Sequence, residues 1–529
     1  MTTLAAADTA CRAALAADPN DAEALDQLAR IRLERSPEQA LSHLLHAHAA
    51  RVGGRHAESV RAAREALRRA PADVEALNLL GLSLRDLGDL DQAVAVWQRA
   101  VRTDPALADL WLNLGKALCE AGRAEDALAP LAEALSRRPD HGDSLLTLGN
   151  ALIALERAPE AAAAFECGLA GDPRSARLHA NLALARRQCG DLDGAEHHLR
   201  QAVALAPALA EAHKNLAMLD LLRGRFADGF DRFAWRWHEQ RAFNRPRPLP
   251  QPPWDGSALG GRTILVWGEQ GVGDEIMFAS AYPEVIAAAA RCVVECEARL
   301  VPLFQRSFTG ARIVARTEPP AAELADPAID LQCAAGDLCR WLRRSREDFP
   351  VPAPYLLADP GRIAAAAARV RALGDGPKVG LAWRSRTPVW GAAKSAPLAL
   401  WDPILSVPGP VWIDLQYGDC ADERAAARAR LGVTVHHDPS VDQMASLDDF
   451  AAQVAALDLV ITTSNTTAHM AGALGVETWL LLPHMPDWRW QATGEHSLWY
   501  PRTRLFRQPS PGDWRTPIES VAAALRGRL

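Results

Sequence analysis

The chain has 529 residues, and at roughly 100–200 residues per domain this length favours three or more domains over one. Hydrophobic residues make up 49% and charged residues 23%, which is ordinary globular usage and excludes disorder as the dominant state. The formal net charge of −7 excludes a general basic surface for nucleic acid. The 16 tryptophans are unevenly placed, because only Trp97 and Trp111 precede residue 230 and the others begin at Trp235. This imbalance predicts two architectures joined near residue 240.

The N-terminal segment and the cysteines predict a cytoplasmic protein. Residues Met1 to Asp8 contain neither a basic region nor an apolar core, so no secretory signal is expected. No run of 18 apolar residues is present, so no transmembrane helix is expected. The nine cysteines are odd in number and scattered without a CxxC motif, which disfavours both a disulfide framework and a zinc site.

The N-terminal half repeats every 34 residues. The recurring positions are a proline at 71, 105, 139, 173 and 207, a leucine at 80, 114, 148, 182 and 216, and a turn position at 54, 88, 122, 156, 190 and 224. This pattern resembles the tetratricopeptide repeat, in which each unit is a helix, a turn and a second helix. We expect a solenoid over residues 1–240, with about five regular repeats between 40 and 209, irregular helices before them and a degenerate repeat at 210–240.

Asparagine precedes the repeated leucine at Asn113, Asn181 and Asn215, whereas Leu79 and Thr147 occupy that position in the other repeats. An amide both donates and accepts hydrogen bonds, so it can pair with the backbone of a bound peptide. The pattern resembles the asparagine ladder of the eukaryotic O-GlcNAc transferase, which implies peptide binding by these residues. The alternative is that asparagine is merely tolerated at this repeat position.

Beyond a proline-rich junction at 241–258, predicted strands alternate with helices. The strands are expected at 263–267, 292–296, 312–315, 378–383, 411–416, 458–462 and 477–482. This alternation predicts two Rossmann-like α/β domains facing a cleft, at 259–365 and 366–529, the second ending in a helix near 516–527. Ligands of such folds bind at the carboxyl ends of the strands.

The segment GEQGVGD at 268–274 follows the first of these strands and precedes a helix. Its spacing fits neither a P-loop nor a dinucleotide fingerprint, but its glycines permit a tight turn and a close approach of substrate. Asp274 can accept a proton from an acceptor hydroxyl, and the alternative is that it caps the helix. The residues expected near the acceptor are Glu269, Gln270, Gly271 and Gly273.

A hydroxyl-rich turn follows the strand at 458–462 and leads into a helix. A helix N-terminus offers free N–H groups and a positive dipole end, which suit a diphosphate. The alternative is ordinary capping of the helix. The donor-binding candidates of this turn are Ser464, Asn465, Thr466, Thr467 and His469.

Further donor-side candidates follow the strand that ends at Trp383. Arg384, Arg386 and the downstream Lys394 can neutralise a leaving nucleotide, although either arginine alone can equally be a solvated loop charge. Gln416, at the end of the next predicted strand, is assigned to the same side of the cleft. The aromatic residues of the segments 484–490 and 499–501 suit either stacking on a base or sugar or packing between domains.

Taken together, GEQGVGD at 268–274, the run at 455–475 and PDWRW at 486–490 resemble the GT-B glycosyltransferases of the bacterial heptosyltransferase-like group, glycosyltransferase family nine. The resemblance covers about residues 255–529 and implies that Asp274 is the general base, that Lys394 contacts donor phosphate and that the 464–469 turn binds diphosphate and sugar. The family has Asp-Thr-Gly-Leu-Ser-His in that turn, so His469 matches and Ser464 replaces the aspartate. The resemblance implies metal independence and no cofactor besides the nucleotide-sugar substrate.

The combined pattern predicts an enzyme that transfers a sugar from a nucleotide sugar to a protein docked by the repeats. Flagellin is the favoured acceptor, because the combination is similar to repeat-bearing bacterial flagellin glycosyltransferases. Two alternatives stay open. One is a transferase acting on lipopolysaccharide or another glycan, with the repeats recruiting assembly partners; the other is a non-catalytic scaffold with a degenerate transferase region.

Overall fold

The computed structural model describes residues 2–18, 21–239, 245–349, 354–385 and 391–528. The chain divides into two compact units, Met1–Arg186 and Arg187–Leu529. Residues 241–244 of the expected junction lie outside the described residues, and the boundaries expected at 240, 258 and 365 stay predictions. None of the helices in the described ranges is long and apolar enough to cross a lipid bilayer.

The region before residue 240 is helical, and its helices follow the 34-residue period. From α5 to α12, helices of 13 and 14 residues alternate, with a short turn between them. The helices are α1 (Thr2–Ala17), α2 (Ala22–Arg35), α3 (Ala40–Val52), α4 (His56–Arg69), α5 (Val74–Asp86), α6 (Leu90–Thr103), α7 (Ala108–Glu120), α8 (Ala124–Arg137), α9 (Gly142–Ala154), α10 (Ala158–Gly171), α11 (Ala176–Gln188), α12 (Leu192–Leu205), α13 (Ala210–Leu222) and α14 (Phe226–Phe233). The predicted helical repeats are therefore confirmed, as are the additional helices before residue 40.

The predicted turn position adopts the left-handed backbone conformation. Within the first unit φ is 72° at Gly54, 81° at Gly88 and 73° at Gly122. Glu156 occupies the same position with φ of 60°, although a side chain makes this conformation sterically unfavourable. The geometry of the turn is thus kept where the glycine is absent.

Glycines on the first helix of three repeats allow the second helix to approach closely. A Cβ added to Gly81 would lie 2.6 Å from the Trp97 ring, and one added to Gly115 would lie 2.6 Å from Leu131. At Gly149 the distance to the Phe165 ring would be 2.2 Å. The three large partners also recur every 34 residues and are 0% exposed, so each glycine complements one buried side chain.

The second unit contains two parallel sheets. The strands are β1 (Thr263–Trp267), β2 (Arg291–Cys296), β3 (Ala311–Ala315), β4 (Leu331–Ala334), β5 (Lys378–Ala382), β6 (Val411–Asp414), β7 (Val435–His436), β8 (Leu459–Thr463), β9 (Thr478–Leu482) and β10 (Thr503–Arg507). The first sheet has the order β3-β2-β1-β4 and the second the order β10-β9-β8-β5-β6-β7, with every pairing parallel. The α/β architecture is confirmed, and sequence reasoning missed β4, β7 and β10.

Helices connect these strands, as parallel pairing requires. They are α15 (Val272–Phe278), α16 (Tyr282–Ala288), α17 (Val301–Ser307), α18 (Leu338–Leu342), α19 (Pro360–Arg371), α20 (Asp402–Leu405), α21 (Ala421–Leu431), α22 (Leu447–Ala455), α23 (Thr466–Ala473) and α24 (Arg515–Arg528). The helix expected after the GEQGVGD segment is divided into α15 and α16 by a 3₁₀ turn at Ala279–Ala281. The helix expected near 516–527 is α24.

The helical segment at the start of the second unit is built into the α/β region. Phe230 and Phe233 of α14 pack against Trp488, with ring centroids 5.9 and 5.8 Å away. The Ala492 N–H donates to the Leu222 carbonyl at 2.8 Å. A 3₁₀ turn, Ala234–His238, then continues directly from α14.

One residue of that turn, Arg236, is anchored beneath the GEQGVGD segment. The residue is 1% exposed, and its guanidinium donates to both carboxylate oxygens of Glu269, at 2.8 and 2.7 Å. A second ion pair joins it to Asp337 after β4, at 2.8 Å. Because two carboxylates surround the guanidinium, they raise the pKa of Arg236 despite its burial.

Candidate functional site

The GEQGVGD segment forms a tight turn at the carboxyl end of β1. The Gly268 N–H donates to the Glu295 carbonyl at 2.7 Å, and a Cβ on Gly268 would lie 2.5 Å from the Glu275 carboxylate. Gln270 adopts φ of 63°, an uncommon conformation for a residue with a side chain. Such conformations persist where the surrounding structure enforces them, and they cluster at functional sites.

Asp274, in the first turn of α15, is held by two contacts. One carboxylate oxygen forms an ion pair with Arg489, and the other accepts the Gly271 N–H at 3.2 Å. The side chain remains 22% exposed. Asp274 therefore does cap its helix, while part of its carboxylate still faces solvent.

Arg489 lies in the loop after β9 and links Asp274 to Asp487. Its guanidinium pairs with both carboxylates, and the Lys394 ammonium lies 3.6 Å from Asp487. Burial alone would raise the pKa of Asp487, but Arg489 and Lys394 hold it well below its usual range. Arg489 thus connects the two carboxylates, and Arg489 and Lys394 together stabilise Asp487 in its charged form.

At the carboxyl end of β8, the polar turn starts α23 as the capping alternative expected. The Asn465 side chain accepts the Thr467 N–H at 3.0 Å and the Thr462 hydroxyl at 3.1 Å. Ser464 accepts the indole N–H of Trp490 at 2.9 Å. Thr466 is half-buried and has no hydrogen-bonding partner for its hydroxyl among the described residues.

His469 projects from α23 toward α15. Its Nδ1 lies 2.9 Å from the Tyr500 hydroxyl, and its ring stacks on Trp490 with centroids 5.2 Å apart. A Cβ on Gly273 would lie 2.9 Å from this ring, so the glycine permits the two helices to meet. Burial lowers the pKa of His469 to about 4, which makes the imidazole neutral near pH 7.

These elements enclose a cavity of about 430 Å³ where both sheets end. The predicted residues that line it are Gln270, Gly271, Gly273, Asp274, Lys394, Ser464, Asn465, Thr466 and His469. Sequence reasoning missed further lining residues, including Arg187, Gln188, Met218, Ser385, Tyr417, Asp487 and Arg489. The PDWRW segment contained a signal for the last two, but its charged residues were given no role.

Four predicted residues do not line this cavity. Glu269 pairs with Arg236, and Thr467 is 1% exposed beneath the α23 turn. Gln416 accepts the backbone N–H groups of Trp383 and Arg384, each at 2.9 Å. The Arg384 guanidinium in turn pairs with Glu423 at 2.9 Å. Arg386 lies outside the described residues.

The asparagines proposed for peptide binding are half-buried. In the first unit, Asn113 donates to the Asn78 side chain at 3.0 Å, and the same Asn78 oxygen accepts the Trp97 indole N–H at 3.0 Å. Asn113 is therefore part of an internal network. Peptide binding by Asn113, Asn181 and Asn215 stays a prediction.

The tryptophans near the cavity are buried by packing and are hardly exposed to solvent. Trp490 is 0% exposed and Trp488 is 3% exposed. Trp488 also contacts Trp499, with ring centroids 6.2 Å apart. These contacts favour the packing alternative over stacking on a ligand. In the described part of the chain, no group of three or more His, Cys, Asp or Glu residues is arranged to hold a metal ion.

Comparison with protein families identifies the repeats. Profiles described as tetratricopeptide repeat match residues 44–108, 78–142, 118–185 and 176–209. The N-terminal region therefore carries tetratricopeptide repeats, as its 34-residue period predicts. Repeats of this kind typically bind peptides.

Among curated proteins, the chain is similar to Protein FlbA of Caulobacter vibrioides. The two are 35% identical over 383 residues, which is 68% of this chain and 63% of FlbA. The match thus spans less than two thirds of the length of that relative.

Among solved structures, the chain is similar to MamA, with 22% identity, a TM-score of 0.31, and coverage of 33% of this chain and 96% of MamA. It is also similar to a tetratricopeptide repeat protein of Thermus thermophilus, TTC0263. For that structure the identity is 25%, the TM-score 0.29 and the coverage 32% of this chain and 91% of the other.

Proposed function

We propose that this protein is a metal-independent glycosyltransferase that transfers a sugar from a nucleotide sugar to a protein acceptor docked by its repeats. The observation that carries the proposal is the cavity at the carboxyl ends of two parallel sheets. It brings Asp274, Lys394 and the start of α23 together, as the resemblance to glycosyltransferase family nine implies. Ligands of parallel α/β sheets bind at this edge.

In the proposed reaction, the exposed part of the Asp274 carboxylate accepts the proton of the acceptor hydroxyl. The acceptor oxygen forms a bond to the anomeric carbon of the donor sugar, and the bond from that carbon to the phosphate oxygen breaks. The electron pair leaves with the nucleoside diphosphate. Lys394 and the N–H groups that begin α23 stabilise the charge that develops on this leaving group.

The ion pair between Asp274 and Arg489 shapes this mechanism in two ways. It fixes the orientation of the carboxylate. It also occupies one of the two carboxylate oxygens that could approach the acceptor hydroxyl. We therefore infer that acceptor binding loosens the pair before proton transfer.

The acceptor is assigned to the repeats because tetratricopeptide repeats typically bind peptides. Flagellin is the favoured acceptor, on the resemblance to repeat-bearing flagellin glycosyltransferases. The reaction is assigned to the cytoplasm, where nucleotide sugars are available to the enzyme.

The test begins with a thermal-shift screen of the full chain against ADP, UDP, GDP and CMP. The matching nucleotide sugar is then incubated with flagellin, and transfer is followed by intact mass. The Asp274→Asn variant should keep nucleotide binding and lose transfer by about 100-fold or more, as removal of a general base does. The control is Asp255→Asn, because Asp255 is exposed and does not line the cavity. Full transfer by Asp274→Asn would remove Asp274 from the mechanism.

A non-catalytic scaffold is the second candidate, and a specific observation favours it. Both carboxylate oxygens of Asp274 are engaged by the protein, and the Ser464 and Asn465 side chains are engaged as well. A scaffold would bind none of the four nucleotides. A glycan transferase would bind one of them and modify a lipopolysaccharide acceptor instead of a protein.

A further inference from the structure

The charged groups of the cavity are not fully paired with one another. Arg489 forms ion pairs with Asp274 and Asp487, and Lys394 lies 3.6 Å from Asp487. The third cation is Arg187, and within the described ranges no hydrogen bond or ion pair engages its guanidinium. Among the described residues that line the cavity, the three cations therefore outnumber the two carboxylates by one.

Arg187 is also partly removed from water. The residue is half-buried, and burial lowers the pKa of its guanidinium, with only a partial offset from Asp487. A charge in such a place is costly unless a counter-ion or hydrogen-bond acceptors reach it. Asp487 offsets this cost only in part, and no described residue accepts a hydrogen bond from the guanidinium, so the position favours an anionic ligand.

Among the described residues, the neighbouring Gln188 has a hydrogen-bond acceptor without a partner, whereas Arg187 has donors without a partner. Its Oε1 is buried and accepts no hydrogen bond from the described residues, although the residue lines the same cavity. Consecutive residues thus present unused donors, from Arg187, and an unused acceptor, from Gln188. Buried polar groups are normally paired, so two adjacent exceptions facing one cavity point to a ligand with both acceptor and donor groups.

A purely structural role for Arg187 is the competing explanation. An arginine near the C-terminus of a helix interacts favourably with the helix dipole, and Arg187 lies in the last turn of α11. That role requires neither a cavity nor the absence of other partners for the guanidinium. The loss of hydration and the location in the cavity are therefore not explained by it.

We propose that Arg187 binds the diphosphate of the nucleotide donor, and that Gln188 accepts a hydrogen bond from a hydroxyl of the same donor. The inference rests on the proposed function and assigns part of the donor site to the end of a repeat helix. Arginine suits this role because its planar guanidinium can bind phosphate oxygens bidentately.

The experiment measures binding of UDP, ADP, GDP, CMP and inorganic pyrophosphate to the full chain by calorimetry. Arg187→Ala should weaken binding of the preferred diphosphate by about 10- to 100-fold, the loss expected for a charge-assisted bidentate contact. Arg187→Lys should recover part of it. The control is Arg200→Ala, because Arg200 on α12 is 69% exposed and pairs with Glu196.

A second measurement separates binding from a structural role. Without ligand, Arg187→Ala should melt at the same temperature as the wild type or higher, because a desolvated and unpaired charge is removed. A lower melting temperature with unchanged affinity would overturn the inference. Equal diphosphate affinity in wild type and Arg187→Ala would also overturn it while leaving the proposed function intact. Failure of the wild type to bind any of the five probes would overturn both, and binding of CMP alone would exclude a diphosphate donor.

Discussion

Asp274 and Arg489 form an ion pair across the cavity. Asp274 lies after β1 of the first sheet, and Arg489 lies in the loop after β9 of the second. The pair joins the proposed base to a loop that also contains Asp487. The cavity is thus closed on one side by electrostatic attraction between its two walls.

Replacing Arg489 by alanine should destabilise the protein by about 3 kcal/mol, because two partly buried carboxylates lose their main cation. Urea unfolding at pH 7 measures the change. The matched control is Arg504→Ala, since Arg504 is exposed and interacts with the ring of Phe506. A loss below about 0.5 kcal/mol, which is typical of surface substitutions, would contradict the importance given to the pair.

The glycines that face large side chains should not tolerate alanine. Gly149→Ala places a Cβ 2.2 Å from the Phe165 ring, and overpacking of this kind costs about 1–3 kcal/mol. On helix propensity alone, the same substitution would stabilise by up to about 1 kcal/mol. Gly142→Ala is the control, because a Cβ there meets no atom within 4 Å. Thermal unfolding should give opposite signs for the two variants, and equal signs would contradict the packing argument.

His469 should make the protein less stable in acid. Burial lowers its pKa from 6.5 to about 4, so the unfolded chain binds a proton over this interval and the folded protein does not. Its contribution is complete above pH 6.5 and is lost as the pH falls toward 4, by about 3 kcal/mol in total. Unfolding of His469→Gln, measured between pH 4.5 and 7, should depend less steeply on acid than wild type. The exposed His496 provides the control substitution, whose profile should follow the wild type.

Glu275 should have the opposite effect. Burial raises the pKa of this carboxyl from 4.5 to about 7, although Arg316 lies 2.9 Å away. The folded protein therefore prefers the protonated carboxyl. The contribution of this group to the free energy of unfolding is complete below pH 4.5 and is lost as the pH rises through 7. Across that window the cost is about 3 kcal/mol. Glu275→Gln should be more resistant than wild type to a change from pH 5 to pH 8, and an unchanged pH profile would contradict the argument.

Arg236 should be essential for the position of the GEQGVGD turn. Arg236→Met leaves Glu269 and Asp337 buried or half-buried without their cation, which should cost about 3–5 kcal/mol. Arg312→Met is the control, since Arg312 is 61% exposed and pairs with Glu323. Denaturant unfolding measures stability, and nucleotide affinity reports the position of the turn. Wild-type values for both in Arg236→Met would contradict this role.

The sequence was most informative where a residue must satisfy a local backbone requirement. The turn glycines and the small residues facing Trp97, Leu131 and Phe165 recur at a fixed spacing, so the repeats were predictable. Strands β1, β5, β8 and β9 were predictable because they are mostly apolar segments in which every residue is buried. Strand β7 has only two residues, and β10 contains the exposed Arg504, so neither shows that signal.

The side-chain partners within the site were less predictable than its location. Gln416 lies at a strand end as expected, yet its amide oxygen is used by two backbone N–H groups. Arg186 and Arg187 are adjacent and chemically identical, but Arg186 pairs with Glu166 whereas Arg187 lines the cavity. The rule that ligands bind at the carboxyl ends of parallel strands predicts the edge of the sheet where the site lies. It does not predict the direction of each side chain, because that depends on tertiary packing.

The packing of Phe230 and Phe233 on Trp488 has a consequence for how such a protein can diversify. Residues 187–239 fold with the α/β region, so they are inherited with that region rather than with the preceding repeats. Recombination at residue 240 would strip the aromatic surface that supports the loop with Asp487 and Arg489. Exchange of whole repeats is compatible with this architecture only upstream of Arg187.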